Sequence, residues 1–338
     1  MCRVASAGKR RAEYKKASIY MDIASLEQSL MVNNLLLEAG QAYWGWYEAH
    51  YDVIIYREGY QLADQRFKAV KRSVSLGDRP AVDTLEAGIQ VQNRFLSLQE
   101  AELEYVNRSV QLGLYLWQDG YIPIELAPTT LPEPFYGDSR DLSSLSLDNP
   151  IDSLLANHPA LRQLDAKRNS LEIDRKLKAE ALKPTLDLSY KALVQNPATE
   201  SPLPYDIGDY TWGLKFTMPL FLRSERGALQ RVKLDMNALE SKTQFAQAKV
   251  NAEVQMALNQ METTRNQAEV YRKNARDYGA LLVAERTLFE AGESSLFLVN
   301  SREVGFIQSR IKWVAAVAKN KKSQVYTYYS LGVLPMSL

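Results

Sequence analysis

What is scarce in this chain narrows its function before anything else does. It has one cysteine in 338 residues, so neither a disulfide framework nor a cysteine-based zinc site is available. Its two histidines, His50 and His158, lie far apart in sequence and form no metal or catalytic cluster. Lys and Arg total 41 against 40 Asp and Glu, a formal net charge of +1. That balance gives no electrostatic case for a nucleic-acid partner. No apolar run approaches the ~18 residues of a membrane-spanning helix. The N-terminal MCRVASAGKRRAEYKK is basic but lacks an apolar stretch, so it does not read as a secretory signal. No Ser–His–Asp set, phosphate-cradling glycine loop or pocketed carboxylate pair is recognisable. The sequence therefore argues for no enzyme, no metal and no cofactor.

Proline is also absent where it matters. Of 13 prolines, only Pro80 precedes Pro123, and none lies between Pro219 and Pro335. Two long proline-free tracts flank a proline-rich middle, which places long helices outside and strands or loops inside.

The later tract carries an apolar stripe: Val250, Val254, Ala257, Met261, Thr264, Ala268, Tyr271, Ala275, Tyr278 and Leu282. Spacings of four and three alternate throughout, the seam of a coiled coil with many small members. A helix of ~60 residues at ~1.5 Å each is roughly 90 Å long. A compact globule of this length is only about 50 Å across. An unbroken helix therefore predicts an elongated molecule or a core shared between chains.

The earlier tract repeats the stripe as Leu35, Ala39, Ala42, Trp46, Ala49, Val53, Tyr56, Tyr60, Ala63 and Phe67, each 215 residues before its mate. The same offset carries Gly77 onto Gly292, and 7–23 onto 222–238. This is an internal duplication without gaps over about 110 residues. Each long helix stops at its glycine, suited to a left-handed position after a helix end. Asp78, or Ser294 and Ser295, then caps a returning helix over about 81–117 or 296–330, with Pro80 near the first turn.

Residues 118–151 read as a linker, and 152–183 as a helix with Pro159 early in it or ending a short first turn. Two alternating segments follow, forming a hairpin over 184–219. Leu186, Leu188 and Tyr190 share one face of the first strand. Tyr210, Trp212, Leu214, Phe216 and Met218 share one face of the second. Apolar-out and polar-in alternation at ~9–11 residues fits a strand tilted across a bilayer. A second long helix over 225–291 and a turn at 292–296 complete the second half.

The ordered set resembles the TolC-like outer membrane efflux proteins. The residues that carry the resemblance are NHPALRQLDAKRNSLEIDRKLKAEALKPTLDLSY (157–190), YTWGLKFTMPLF (210–221) followed by RSER, and LFEAGESSLFLVNSRE (288–303). The second repeat, 152–335, matches throughout, and the first from about 8 to 117. The resemblance implies a mainly α fold. Very long antiparallel coiled-coil helices would form a trimeric α-barrel, and a β-hairpin would contribute to a transmembrane β-barrel. It implies a homotrimer in outer-membrane lipid with a periplasmic extension, a periplasmic adaptor and an inner-membrane pump as partners. The function implied is a passive exit duct of a tripartite efflux or type I secretion system. One departure is expected: by the 215 offset, the helix and hairpin of the first repeat, and the signal peptide, would precede residue 1. The chain then reads as short at its N-terminus.

The resemblance also points to site residues. The turns about Gly77, Asp78, Gly292, Glu293, Ser294, Ser295, Leu296 and Phe297 are expected at the periplasmic tip, with Leu296 and Phe297 exposed toward the adaptor or packed on the neighbouring hairpin. Asp83 and Glu86, three residues apart on one helix side, are expected to ring the constriction or simply to complement the helix dipole. Leu186, Leu188, Tyr190, Tyr210, Trp212, Leu214, Phe216 and Met218 are expected to face lipid. The competing readings are a soluble coiled-coil scaffold or adaptor, or a non-functional truncated relative.

Overall fold

The computed structural model describes residues 2–3, 7–118, 122–127, 129–134, 151–191, 211–218 and 221–333. Two uninterrupted helices dominate it: α1 (Ala7–Ser75, 69 residues) and α5 (Arg223–Glu290, 68 residues). Neither contains proline, so no backbone donor is missing along either length. The returning helices are α2 (Val82–Gly113) and α6 (Leu296–Ser330). Chain contacts divide the protein into two units, residues 1–31 with 152–251 and residues 32–151 with 252–338.

The first unit holds a sheet in the order β1 (Cys2–Arg3), β4 (Thr185–Lys191), β5 (Thr211–Thr217), all antiparallel. β1 pairs Cys2 with Tyr190 and Arg3 with Ser189. Two residues are too few for periodicity to reveal, so this strand was not legible in advance. The 215 offset carries Cys2 onto Thr217, the last residue of β5. The helix expected over 152–183 is two helices, α3 (Ile151–Ala156) and α4 (Pro159–Glu180). The break follows from Pro159, which holds His158 extended at φ −56° and ψ 126°. His158 then caps α4, its Nδ1 accepting from Ala160 N–H at 3.3 Å. Lys16 of α1 donates to Asp174 of α4 at 2.8 Å, so one member of the basic N-terminal cluster is paired.

In the second unit, α1 receives two helices. Val53 meets Leu98 and Ala101 of α2, while Ile55 meets Ile307 and Val314 of α6. The α5 stripe packs on α6 through Ala268, Ala316 and Val317. Thr264, the one polar member of that stripe, is buried with partners: Ser323 Oγ at 3.0 Å and Asn320 Nδ2 at 3.2 Å. Asn320 Nδ2 also donates to Met261 O at 3.1 Å. Two stripe members depart from expectation: Leu35 and Tyr278 are exposed. Trp46 and Tyr47 are buried in an aromatic cluster with Tyr43, Trp44, His50, Tyr51 and Tyr105. Within the expected linker, β2 (Trp117–Gln118) pairs with β3 (Ile122–Pro123). Much of 118–151 lies outside the described residues.

Candidate functional site at the hairpin turns and the strand pair

Each helical hairpin turns through the same hydrogen-bond pattern. Gly77 N–H donates to Val74 O at 3.1 Å, and Asp78 N–H to Ser73 O at 3.0 Å. Gly292 N–H donates to Phe289 O at 3.1 Å, and Glu293 N–H to Leu288 O at 2.8 Å. These paired bonds are the Schellman motif, and φ of 84° and 80° at the two glycines supplies its left-handed residue.

The return helices begin differently. Ser295 caps α6, its hydroxyl accepting from Leu298 N–H at 3.3 Å. Asp78 does not cap α2, which corrects that expectation. α2 begins after Ala81 with no side-chain cap, because Pro80 and Ala81 already supply a tight first turn, with Asp83 N–H on Pro80 O at 3.1 Å. Arg79 lies 3.6 Å from the Asp83 carboxylate and 4.2 Å from the centre of the Phe289 ring. Of the two positions expected for Leu296 the structure shows the packed one: it is 3% exposed and sits with Val70 and Ala87 of the other hairpin, while Phe297 stands out at 67%. The i, i+3 and i, i+4 spacing of Leu296 with Val299, Asn300 and Glu303 gives the reason, since it starts the buried face of α6.

Behind the turns lies a charge network that sequence reasoning missed. The Glu303 carboxylate, 2% exposed, pairs with Arg66 and, at 3.2 Å, with Arg286. Arg66 also donates to Asn300 Oδ1 at 2.8 Å, and Asn300 Nδ2 donates to Glu86 Oε1 at 3.1 Å. Burial pulls the Arg94 guanidinium below its usual range, opposed by the Glu303 charge. Glu285 accepts from Ser294 and, at 3.3 Å, from Arg302. Residues from α1, α2, α5 and α6 thus meet in one network joining both hairpins. Its signal in the sequence is a charged residue, Glu303, inside an apolar stripe that runs from Val299 to Ile307.

The strand pair has a different chemistry. Its register sets Leu186 opposite Phe216, Leu188 opposite Leu214 and Tyr190 opposite Trp212. The alternate pairs are Thr185 with Thr217, Asp187 with Lys215 and Ser189 with Gly213. Every one of the six large apolar side chains is exposed, as is Met218 beyond β5. Tyr210 lies outside the described residues. Among the described residues, no helix is long and apolar enough to cross a membrane, and no group of acidic, His or Cys side chains is set to hold a metal.

Residues 151–318 match the family model described as outer membrane efflux protein. No curated protein matches the chain. Its fold is similar to the CmeC outer membrane channel of Campylobacter jejuni, at 16% identity and TM-score 0.80, covering 98% of this chain and 69% of that one. It is also similar to the open MtrE outer membrane channel of Neisseria gonorrhoeae, at 14% identity and TM-score 0.81, with coverage of 98% and 73%. A membrane protein from Pseudomonas aeruginosa gives 15% identity, TM-score 0.79, and coverage of 96% and 71%. Long paired helices, glycine turns, an outward apolar hairpin and the match over the second repeat agree: residues 151–318 belong to the outer membrane efflux protein family, and the chain has the fold of these outer membrane channels.

Proposed function

We propose that the chain is the exit duct of a tripartite efflux or type I secretion system, spanning the outer membrane as a homotrimer and extending into the periplasm. Transport through it is passive, because the energy enters at an inner-membrane pump reached through a periplasmic adaptor. The observation that carries this reading is the apolar face of the strand pair. A hairpin in water lays such a face on a core, yet here all six large side chains are exposed. Seven residues at ~3.4 Å make roughly 24 Å of strand, which at a tilt of ~35–45° rises about 17–20 Å and covers most of the ~25 Å apolar band of an outer-membrane barrel. Asp187 and Lys215 on the opposite face suit a water-filled interior.

The hairpin turns are the second half of the proposal. Gly77, Asp78, Gly292, Glu293, Ser294, Ser295 and Phe297 form the end that meets the adaptor. Asp83 and Glu86 narrow the opening there, Asp83 tempered by Arg79. Opening requires the two hairpins to part, and the network about Glu303 resists that movement. The cargo is set by the pump and adaptor, so the genes beside this one identify it.

The test is fractionation of cells expressing the protein from its native gene, followed by planar-bilayer recording. Recovery with the outer membrane and stepwise conductance are expected. Leu214→Arg should reduce membrane recovery, because a cation near the bilayer midplane costs ~2–4 kcal/mol. Recovery solely in the soluble fraction defeats the duct reading and favours a scaffold.

A further inference from the structure

We infer that the junction between the strand pair and the long helices is a docking surface for anionic phospholipid headgroups, those of the bilayer leaflet nearest the helices. The inference rests on the lipid-facing reading of the strand pair and goes beyond it.

The junction is built within the first unit. β4 begins at Thr185 opposite Thr217 at the close of β5, so the end of α4 and the start of α5 meet the same end of the sheet. β1 runs antiparallel to β4, so the chain leaves Arg3 toward that end as well. A Cβ added at Gly8 would stand 3.9 Å from Glu180 Oε2, which sets the start of α1 beside the end of α4. Leu186 and Phe216, paired one residue into the sheet and both exposed, carry the apolar face down to this junction.

Positive charge is concentrated there. Residues 8–16 hold five cations and one acid, and residues 222–233 hold four and one, in a chain whose formal net charge is +1. Lys9, Arg10, Arg11 and Lys15 of α1, with Arg223 and Arg226 of α5, are all exposed. Among the described residues none of the six has an acidic partner, whereas the adjacent Lys16 is held by Asp174 at 2.8 Å. The 215 offset sets Arg11 on Arg226, so both long helices keep a guanidinium at the same register. Helix stability does not explain this placement. The first turn of α1 has no acid, and Lys9 and Arg10 stand in it against the helix dipole. Beside an anionic surface the same charges become favourable, and their long stems let the charged heads reach a plane of phosphates.

Two aromatic side chains mark the same level. Phe221 lies two residues ahead of Arg223 and is 84% exposed, and Tyr14, one turn beyond Arg10, is 78% exposed. Aromatic rings beside cations at the end of an apolar band are the composition of a bilayer interface. A cationic cluster made for a dissolved anion needs neither the exposed rings nor the adjoining apolar strand face.

The experiment reconstitutes the membrane-extracted full chain in phosphatidylcholine vesicles and quenches tryptophan with brominated phosphatidylcholine or brominated phosphatidylglycerol. Trp212, exposed on the strand face, reports contact with lipid. Quenching by both is expected, with phosphatidylglycerol favoured roughly fivefold or more at low salt, since each basic residue at an anionic surface strengthens binding by about that factor. Arg11→Gln, Arg223→Gln and Arg226→Gln together should bring the two lipids to near parity, and Lys at the same three positions should keep the preference. Lys273→Gln, Lys312→Gln and Lys319→Gln, at exposed positions of α5 and α6, remove the same charge and should leave the preference intact. Quenching without a preference overturns the headgroup site and leaves the hairpin in lipid. So does a preference that survives the arginine variant or falls equally in the lysine control. No quenching by either lipid overturns both readings.

Discussion

Glu303 is one carboxylate facing three guanidinium groups, those of Arg66 and Arg286 in direct contact and Arg94 through its field. Removing one partner from a buried ionic cluster costs roughly 3–5 kcal/mol, because the remaining charges stay desolvated. Glu303→Gln is therefore expected to lower the urea midpoint markedly. Glu102→Gln breaks the exposed Arg57–Glu102 pair and should cost less than about 1 kcal/mol. Equal shifts for the two variants would refute the special weight given to Glu303. Asp52 behaves oppositely. Its Oδ1 has no hydrogen-bond partner, and burial, with the nearby Glu48 charge, pushes its carboxyl up to about 7. The folded state then holds a proton that the unfolded state has released above ~3.9. Asp52 is thus least destabilising below that value, and stability falls as pH rises toward 7. Asp52→Asn should flatten that slope between pH 5 and pH 7.5; an unchanged slope assigns it elsewhere.

At the scale of elements, the glycines separate by what surrounds them. Gly292 and Gly227 both have open space where a Cβ would go, yet Gly292 has φ 80° and Gly227 lies inside α5. Gly292→Ala should cost about 1–2 kcal/mol and Gly227→Ala should gain roughly 0.5–1. Thermal midpoints moving in the same direction for both would contradict the left-handed turn. These turns were legible because glycine marks them after a long unbroken periodicity. So was the alternation of Leu186, Leu188 and Tyr190. The split of α3 from α4 was half legible: Pro159 stood in view, but only the extended His158 showed which side of it broke. Leu296 was left between an exposed and a packed position, because adjacency to a turn says nothing of helix face; its packing on Val70 and Ala87 decides it. The Glu303 network escaped notice because its members come from four helices, and no spacing along one of them reveals the others.

For the whole molecule, the duct proposal concerns a property that no single chain possesses, the selectivity of a ring. Asp83 is held 3.6 Å from Arg79, so each copy presents a nearly balanced pair rather than a bare acid. Arg79→Ala should therefore raise cation selectivity in planar bilayers, and Asp83→Asn should lower it. Indifference to both changes would remove this pair from the constriction.

The polar step among Thr264, Asn320 and Ser323 bears on how such a ring deforms. Asn320 reaches Met261 O and Thr264 Oγ1 at 3.1 and 3.2 Å, beside a cluster of Ala268, Ala316 and Val317 flanked by Tyr271 and Trp313. Sliding α6 along α5 by one turn, ~5.4 Å, would break both bonds of that buried amide. The step works as a detent: it leaves α5 and α6 free to tilt together and raises the cost of shear between them. The second hairpin then moves as one lever, and strain applied at its tip passes to the helices it leans on rather than into slippage between its own two helices.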